Sequence, residues 1–113
     1  MLTRIMRRAL PLAAAAMLAL STGAYAADSA PNTVTINNFA FAPATLTVAP
    51  GTKVVWNNKD DEPHTVMSAD GGVTFKSPAL DTDDSFTFTF DKPGTYKYFC
   101  SIHPHMVGTI EVK

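Results

Sequence analysis

The chain has 113 residues, with nine basic and ten acidic side chains and a formal charge of −1. All three arginines lie in the first eight residues, so the part beyond residue 26 has six lysines, ten carboxylates and a formal charge of −4. This balance argues against nucleic acid or an anionic membrane as a partner and mildly favours a basic one. The single cysteine excludes an internal disulfide.

The first 26 residues have the features of an export signal. A basic start is followed by an apolar run from Ala9 to Leu20, and Ala24-Tyr25-Ala26 is a small-x-small cleavage site. The run is too short to span a membrane, and no later segment approaches that length. We therefore predict a secretory signal peptide at residues 1–26, by the general rather than the twin-arginine route, and a single domain at residues 27–113.

The domain shows the pattern of an all-β protein. Short runs of alternating apolar and polar residues are separated by Pro, Gly, Asn and Asp, and Phe86, Phe88 and Phe90 give the clearest half-buried strand. No stretch of ten residues has helical periodicity. We predict a Greek-key β-sandwich of about seven to eight strands in two antiparallel sheets. The predicted strands lie near residues 33–37, 45–48, 53–57, 65–67, 86–90, 95–100 and 109–112, with a further short strand near 73–75.

Strand alternation predicts where the cysteine points. Tyr96, Tyr98 and Cys100 share one face of their strand, so Cys100 should face the core at the point where the strand ends. Tyr96 directly follows Pro93-Gly94-Thr95, which is typical of a tyrosine corner whose hydroxyl fastens a Greek-key crossover.

The segment Cys100–Met106, which we call the ligand loop, carries the residues most suited to a metal. It places a thiol, an imidazole and a thioether within seven residues, a soft set that suits copper. His64 lies 36 residues earlier at the mouth of a predicted strand and would complete the set. The prediction is one copper ion held by His64, Cys100, His103 and Met106, which is the blue-copper arrangement.

Other residues compete for these roles. His105 is a second imidazole in the ligand loop, but the spacing from the cysteine favours His103. Met67 has the opposite strand parity to His64 and should face away from the metal.

Two acidic runs, Asp60-Asp61-Glu62 and the carboxylates of residues 81–84, are expected to be solvated loops. A more specific hypothesis is that the first run steers a basic partner toward the copper end.

Several motifs carry a resemblance to a known family. They are Phe41-Ala42-Pro43, Val54-Val55-Trp56-Asn57-Asn58, Pro63-His64, Pro93-Gly94-Thr95-Tyr96-Lys97-Tyr98 and the ligand loop followed by Val107-Gly108. Across nearly all of residues 27–113 the sequence resembles the cupredoxins, especially those of the amicyanin and plastocyanin type. The resemblance implies an eight-stranded sandwich, a type 1 copper centre, and a soluble one-electron carrier of the periplasm. Its donor and acceptor would be redox proteins, such as a c-type cytochrome or a periplasmic dehydrogenase.

The sequence departs from that family at two positions. Thr65 follows the first histidine where such proteins commonly have an asparagine that latches the ligand loop, and its hydroxyl is expected to bond toward Ser101. His105 stands where relatives usually have an apolar or aromatic residue.

The main alternative to an electron carrier is a periplasmic copper-binding or delivery protein, and a zinc-binding structural domain is a third hypothesis. We expect a monomer. We also expect that the protein is not an enzyme, because the loops offer neither a second metal cluster nor a nucleophile with its base.

Overall fold

A computed structural model describes residues 31–113, which form eight β-strands and no helix. The strands are β1 (Thr33–Asn37), β2 (Ala40–Ala42), β3 (Thr45–Val48), β4 (Thr52–Asn58), β5 (Met67–Ser68), β6 (Ser85–Phe90), β7 (Gly94–Phe99) and β8 (Val107–Val112). The expected signal peptide, its cleavage site and the first residues of the expected domain lie outside the described residues. Within residues 31–113 there is no helix of the length and hydropathy needed to cross a membrane.

The strands form two four-stranded sheets that pack into a sandwich. One sheet has the order β2-β1-β4-β6 and the other has the order β3-β8-β7-β5. The all-β sandwich is therefore confirmed, but the expectation of purely antiparallel sheets was wrong. β1 pairs with β4, and β3 with β8, in parallel. Alternation of side chains identifies the buried face of a strand, and it carries no information on the direction of the neighbouring strand.

Most predicted strands are present, and the largest differences fall between β4 and β6. The segment near residues 73–75 is not a strand, although Phe75 is buried in the core. β5 is only two residues long, because Val66 instead bonds to Ser77 through both its N–H and its carbonyl. Elsewhere in the chain, the edge strand β2 was not predicted, and β8 begins at Val107, two residues earlier than expected.

The core is centred on Trp56 of β4 and Tyr98 of β7, one from each sheet. Both are buried, and their rings meet nearly perpendicular at a centroid distance of 5.4 Å, a favourable arrangement for aromatic pairs. Cys100 is also fully buried, so the prediction that it follows Tyr98 into the interior is confirmed. Burial of this apolar cluster is the main driving force for the fold.

Two contacts fix the strands that flank the ligand loop. The Tyr96 hydroxyl donates a hydrogen bond of 2.8 Å to the carbonyl of Lys92, which confirms the tyrosine corner. Across the β7–β8 pair, Tyr98 lies opposite Gly108, where a Cβ atom would overlap the tyrosine ring. Since β7 and β8 are antiparallel neighbours, the ligand loop joins their adjacent ends and closes one end of the sandwich.

Candidate metal centre

Three metal-binding side chains meet at the end of the sandwich that the ligand loop closes. The donor atoms of His64, Cys100 and His103 all lie within 4.8 Å of one another. The sulfur of Cys100 is 3.9 Å from Nδ1 of His64 and 3.8 Å from Nδ1 of His103. A metal in a trigonal plane, with bonds of about 2.3 Å to sulfur and about 2.0 Å to nitrogen, would separate these atoms by about 3.7 Å. The donor set therefore fits a metal ion as it stands.

His64 is held from both its backbone and its ring. It is fully buried, and its backbone exchanges two hydrogen bonds with Leu80, of 3.1 and 2.7 Å. Its Nε2 lies 2.9 Å from a carboxylate oxygen of Asp60, while its Nδ1 faces the Cys100 sulfur. A carboxylate accepts hydrogen bonds, so this contact favours a proton on Nε2 and leaves the lone pair of Nδ1 for a metal.

The loop that carries His64, residues 58–65, is organised by Asn58, a role that sequence reasoning missed. The buried Asn58 amide donates to the carbonyls of Glu62 and Leu80 at 2.9 and 2.8 Å, and its oxygen accepts from the Asp60 N–H at 2.9 Å. One signal was available in the sequence. Asn58 has the same strand parity as Val54 and Trp56, so it was due to point inward, where an amide needs partners. We call residues 58–65 the His64 loop.

Asp60 corrects an expectation about the first acidic run. It was expected to be solvated, but only 6% of its surface is exposed, whereas Asp61 and Glu62 are exposed as predicted. The N–H of Phe39, at 3.0 Å, and the imidazole of His64 lower the pKa of the Asp60 carboxyl to about 2, against the opposing effect of burial. Asp60 is thus a buried carboxylate that lines the site.

The environment of Cys100 favours its thiolate. Burial alone would raise the pKa of the thiol, but hydrogen bonds to the sulfur, the strongest of them from the N–H of Thr65, outweigh it and lower the pKa to about 6. The Thr65 N–H lies 3.4 Å from the sulfur. At neutral pH the residue is therefore mostly in the form that binds metals.

Thr65 joins the His64 loop to the ligand loop. Its hydroxyl lies 2.8 Å from the Ser101 hydroxyl and accepts a hydrogen bond of 2.7 Å from the Ser101 N–H. The expectation that threonine bonds toward Ser101 is confirmed. The latch is therefore present with threonine in place of asparagine.

The ligand loop holds its remaining candidates at different depths. The Met106 N–H donates to the carbonyl of His103 at 2.9 Å, and its carbonyl accepts from the Cys100 N–H at 3.1 Å, which closes the loop with Met106 buried. His103 is partly exposed, and the ring of Phe39 packs edge-on against both His103 and His64 at 5.0 and 5.5 Å. His105 is exposed and is not part of the cluster of donor atoms.

Met67 lies away from the cluster, as its strand parity predicts. It pairs with Phe99, the neighbour of the inward-facing Tyr98 and Cys100, and so faces the outside of the sheet, where it is half-buried.

The two acidic runs, separate in sequence, lie side by side. Lys59 forms an ion pair of 2.9 Å with Asp83, and the Thr82 hydroxyl donates to the carbonyl of Asp60 at 2.7 Å. The loop that carries the exposed Asp61 and Glu62 is therefore in contact with the loop at residues 81–84, and the Lys59 that pairs with Asp83 is exposed.

Comparison with known proteins identifies the fold and the kind of site. The sequence profile described as cupredoxin-like domain matches residues 10–112. Amicyanin-alpha from Methylorubrum extorquens is 35% identical over 118 aligned positions, which cover 94% of this chain and 99% of that protein. Further relatives are named amicyanin or plastocyanin.

Solved structures agree with this. A purple cupredoxin from Nitrosopumilus maritimus superposes with a TM-score of 0.68 at 35% identity, covering 72% of this chain and 98% of that one. A copper-containing nitrite reductase from Thermus scotoductus also superposes with a TM-score of 0.68 at 35% identity, but the match covers 83% of this chain and only 25% of the enzyme.

Two imidazoles and a thiolate are a donor set that suits copper, and the relatives are named amicyanin, plastocyanin and cupredoxin. The profile match over nearly the whole chain, together with this donor set and these relatives, shows that the chain belongs to the cupredoxin-like family and that copper is its cofactor.

Proposed function

We propose that the chain is a type 1 blue copper protein that carries single electrons between redox proteins of the periplasm. One copper ion would be held by His64, Cys100 and His103, with the thioether of Met106 as a weaker fourth ligand. The observation that carries the proposal is the cluster of one thiolate and two imidazoles, whose donor atoms already lie within 4.8 Å of one another and of which His64 and Cys100 are fully buried. Bound copper supplies the one-electron chemistry, because it is stable as both Cu(II) and Cu(I).

The chain's own residues keep the site rigid and shielded. His64 and Cys100 are fully buried and hydrogen-bonded on several sides, so their positions resist change when the charge of the site changes. The filled donor set also leaves no open position for a substrate, which supports a carrier rather than an enzyme. We propose that the similarity to nitrite reductase reflects one shared domain.

His103 is the proposed point of electron entry and exit. It is the partly exposed member of the cluster, and the apolar side chains of Phe39 and Ile102 beside it are 48% and 45% exposed. An apolar surface around a partly exposed ligand supports brief docking of a redox partner. The exposed carboxylates of Asp61 and Glu62, in the loop that carries His64, favour a partner with a basic face, since complementary charge speeds encounter.

The proposed location follows from residues 1–26. A basic start, an apolar run and a small-x-small site support export and cleavage after Ala26, which would leave the domain at residues 27–113.

The test is to add Cu(II) to the purified metal-free protein. We expect an intense visible absorption band from the thiolate–copper bond and reversible one-electron voltammetry. Cys100→Ser should abolish the band because the thiolate is its source, whereas the matched control His105→Ala should keep it.

Other outcomes would decide against the proposal. A colourless complex, or copper lost in each redox cycle, would overturn the carrier and favour a copper-delivery protein. Tighter binding of zinc without colour would favour a structural metal site. Loss of the band in the His105 variant would overturn the ligand assignment.

A further inference from the structure

The buried carboxylate of Asp60 contacts the copper site without belonging to the proposed ligands. Its Oδ2 lies 2.9 Å from Nε2 of His64 and accepts the N–H of Phe39 at 3.0 Å, while its Oδ1 accepts the N–H of Asp61 at 2.9 Å. The backbone of Asp60 is fixed as well, by Asn58 and by the Thr82 hydroxyl. Together these hydrogen bonds restrict the Asp60 carboxylate to a single position.

We infer that Asp60 is a positioning residue that selects the metal-binding tautomer of His64 and tunes the preference of the site for Cu(II). This rests on the proposed function, in which His64 binds copper through Nδ1. The carboxylate holds the proton on Nε2, and the ring is thereby oriented with Nδ1 toward Cys100.

The charge of Asp60 adds a second effect. A negative carboxylate in a water-poor wall makes the imidazole a stronger donor and stabilises the more positive metal state. It therefore favours Cu(II) over Cu(I) and lowers the reduction potential.

Asp60 also connects the ligand to the surface that a partner would meet. Phe39 has a positive φ of 58°, which is uncommon for a bulky residue, and the same Oδ2 that accepts from His64 accepts its N–H. The ring of Phe39 then rests on both imidazoles. One carboxylate thus holds the ring of His64 and the backbone of Phe39, whose ring packs edge-on against that imidazole.

The first experiment uses the metal-free protein and needs no copper. Nitrogen-15 NMR of the imidazoles at alkaline pH should show His64 with its proton on Nε2, and Asp60→Ala should give a mixture of tautomers. A proton on Nδ1 of His64 in the unmodified protein would overturn the inference, whatever the result of the copper titration.

The second experiment separates the charge of Asp60 from its hydrogen bond. Asp60→Asn keeps an acceptor for His64 but removes the charge, so the ratio of Cu(II) to Cu(I) affinity should fall about tenfold, which raises a one-electron potential by about 59 mV. The matched control Asp61→Asn removes the same charge from the exposed neighbour and should change the ratio by about twofold or less, since water and salt screen it. Equal shifts in the two variants would overturn the tuning role.

Discussion

The His64 loop and the ligand loop supply the same cluster, but they are held in different ways. In the His64 loop, Asn58, Asp60 and His64 are buried and their polar atoms are paired within the protein. In the ligand loop, only Cys100 and Met106 are buried, and the residues between them are exposed or half-exposed.

The difference assigns the two loops separate tasks. The His64 loop is a fixed wall built from buried polar groups, which are costly to leave unpaired. The ligand loop is a short cover that depends on the strand ends beneath it and on Thr65, and it presents His103 to a partner. Rigidity and access thus come from different segments of the chain.

The largest expected effect is at Cys100, where both loops act on one atom. The pKa of the thiol falls from 9.0 to about 6, about a thousandfold change in its acid dissociation constant. A group whose pKa is lower in the folded state contributes stability above its unfolded pKa and loses it as pH falls through the folded value. The unfolding free energy of the metal-free protein should therefore rise between about pH 6 and pH 9 relative to Cys100→Ala. Parallel pH profiles of the two proteins, measured by urea unfolding, would contradict this.

The next-largest effect tests the buried hydrogen bonds of the His64 loop. Asn58→Ala removes two donated and one accepted hydrogen bond in a buried place, and we expect the unfolding free energy of the metal-free protein to fall by about 3 kcal/mol. The adjacent Asn57 is a matched control, because its side chain makes one exposed contact with Ser85 and its replacement by alanine should change the value by about 0.5 kcal/mol or less. Similar losses in the two variants would remove the distinction between the loops.

The smallest effect tests the latch between them. Thr65→Ala leaves the Ser101 N–H and hydroxyl without their partner, so we expect a loss of about 1–2 kcal/mol and faster hydrogen exchange of the Ser101 amide. Thr65→Ser keeps the hydroxyl and should protect that amide nearly as well as the native residue. If amide exchange at Ser101 is unchanged in the alanine variant, the ligand loop does not depend on the latch.

Local patterns were enough to predict the β-sandwich, the inward direction of Cys100 and the tyrosine corner at Tyr96. Each depends on the alternation of side chains along one strand or on a turn a few residues long. The nearness of His64 to Cys100 and His103 was also expected, because the chemistry of the donor set required a distant partner.

Only the tertiary structure decided what surrounds those residues. It made Asp60 a buried partner of His64, gave Asn58 its three hydrogen bonds, packed the ring of Phe39 edge-on against both imidazoles, and paired β1 with β4 in parallel. No local sequence pattern predicts that these residues contact one another. Spacing and periodicity report which way a side chain points, whereas its partner depends on how the whole chain crosses between the two sheets.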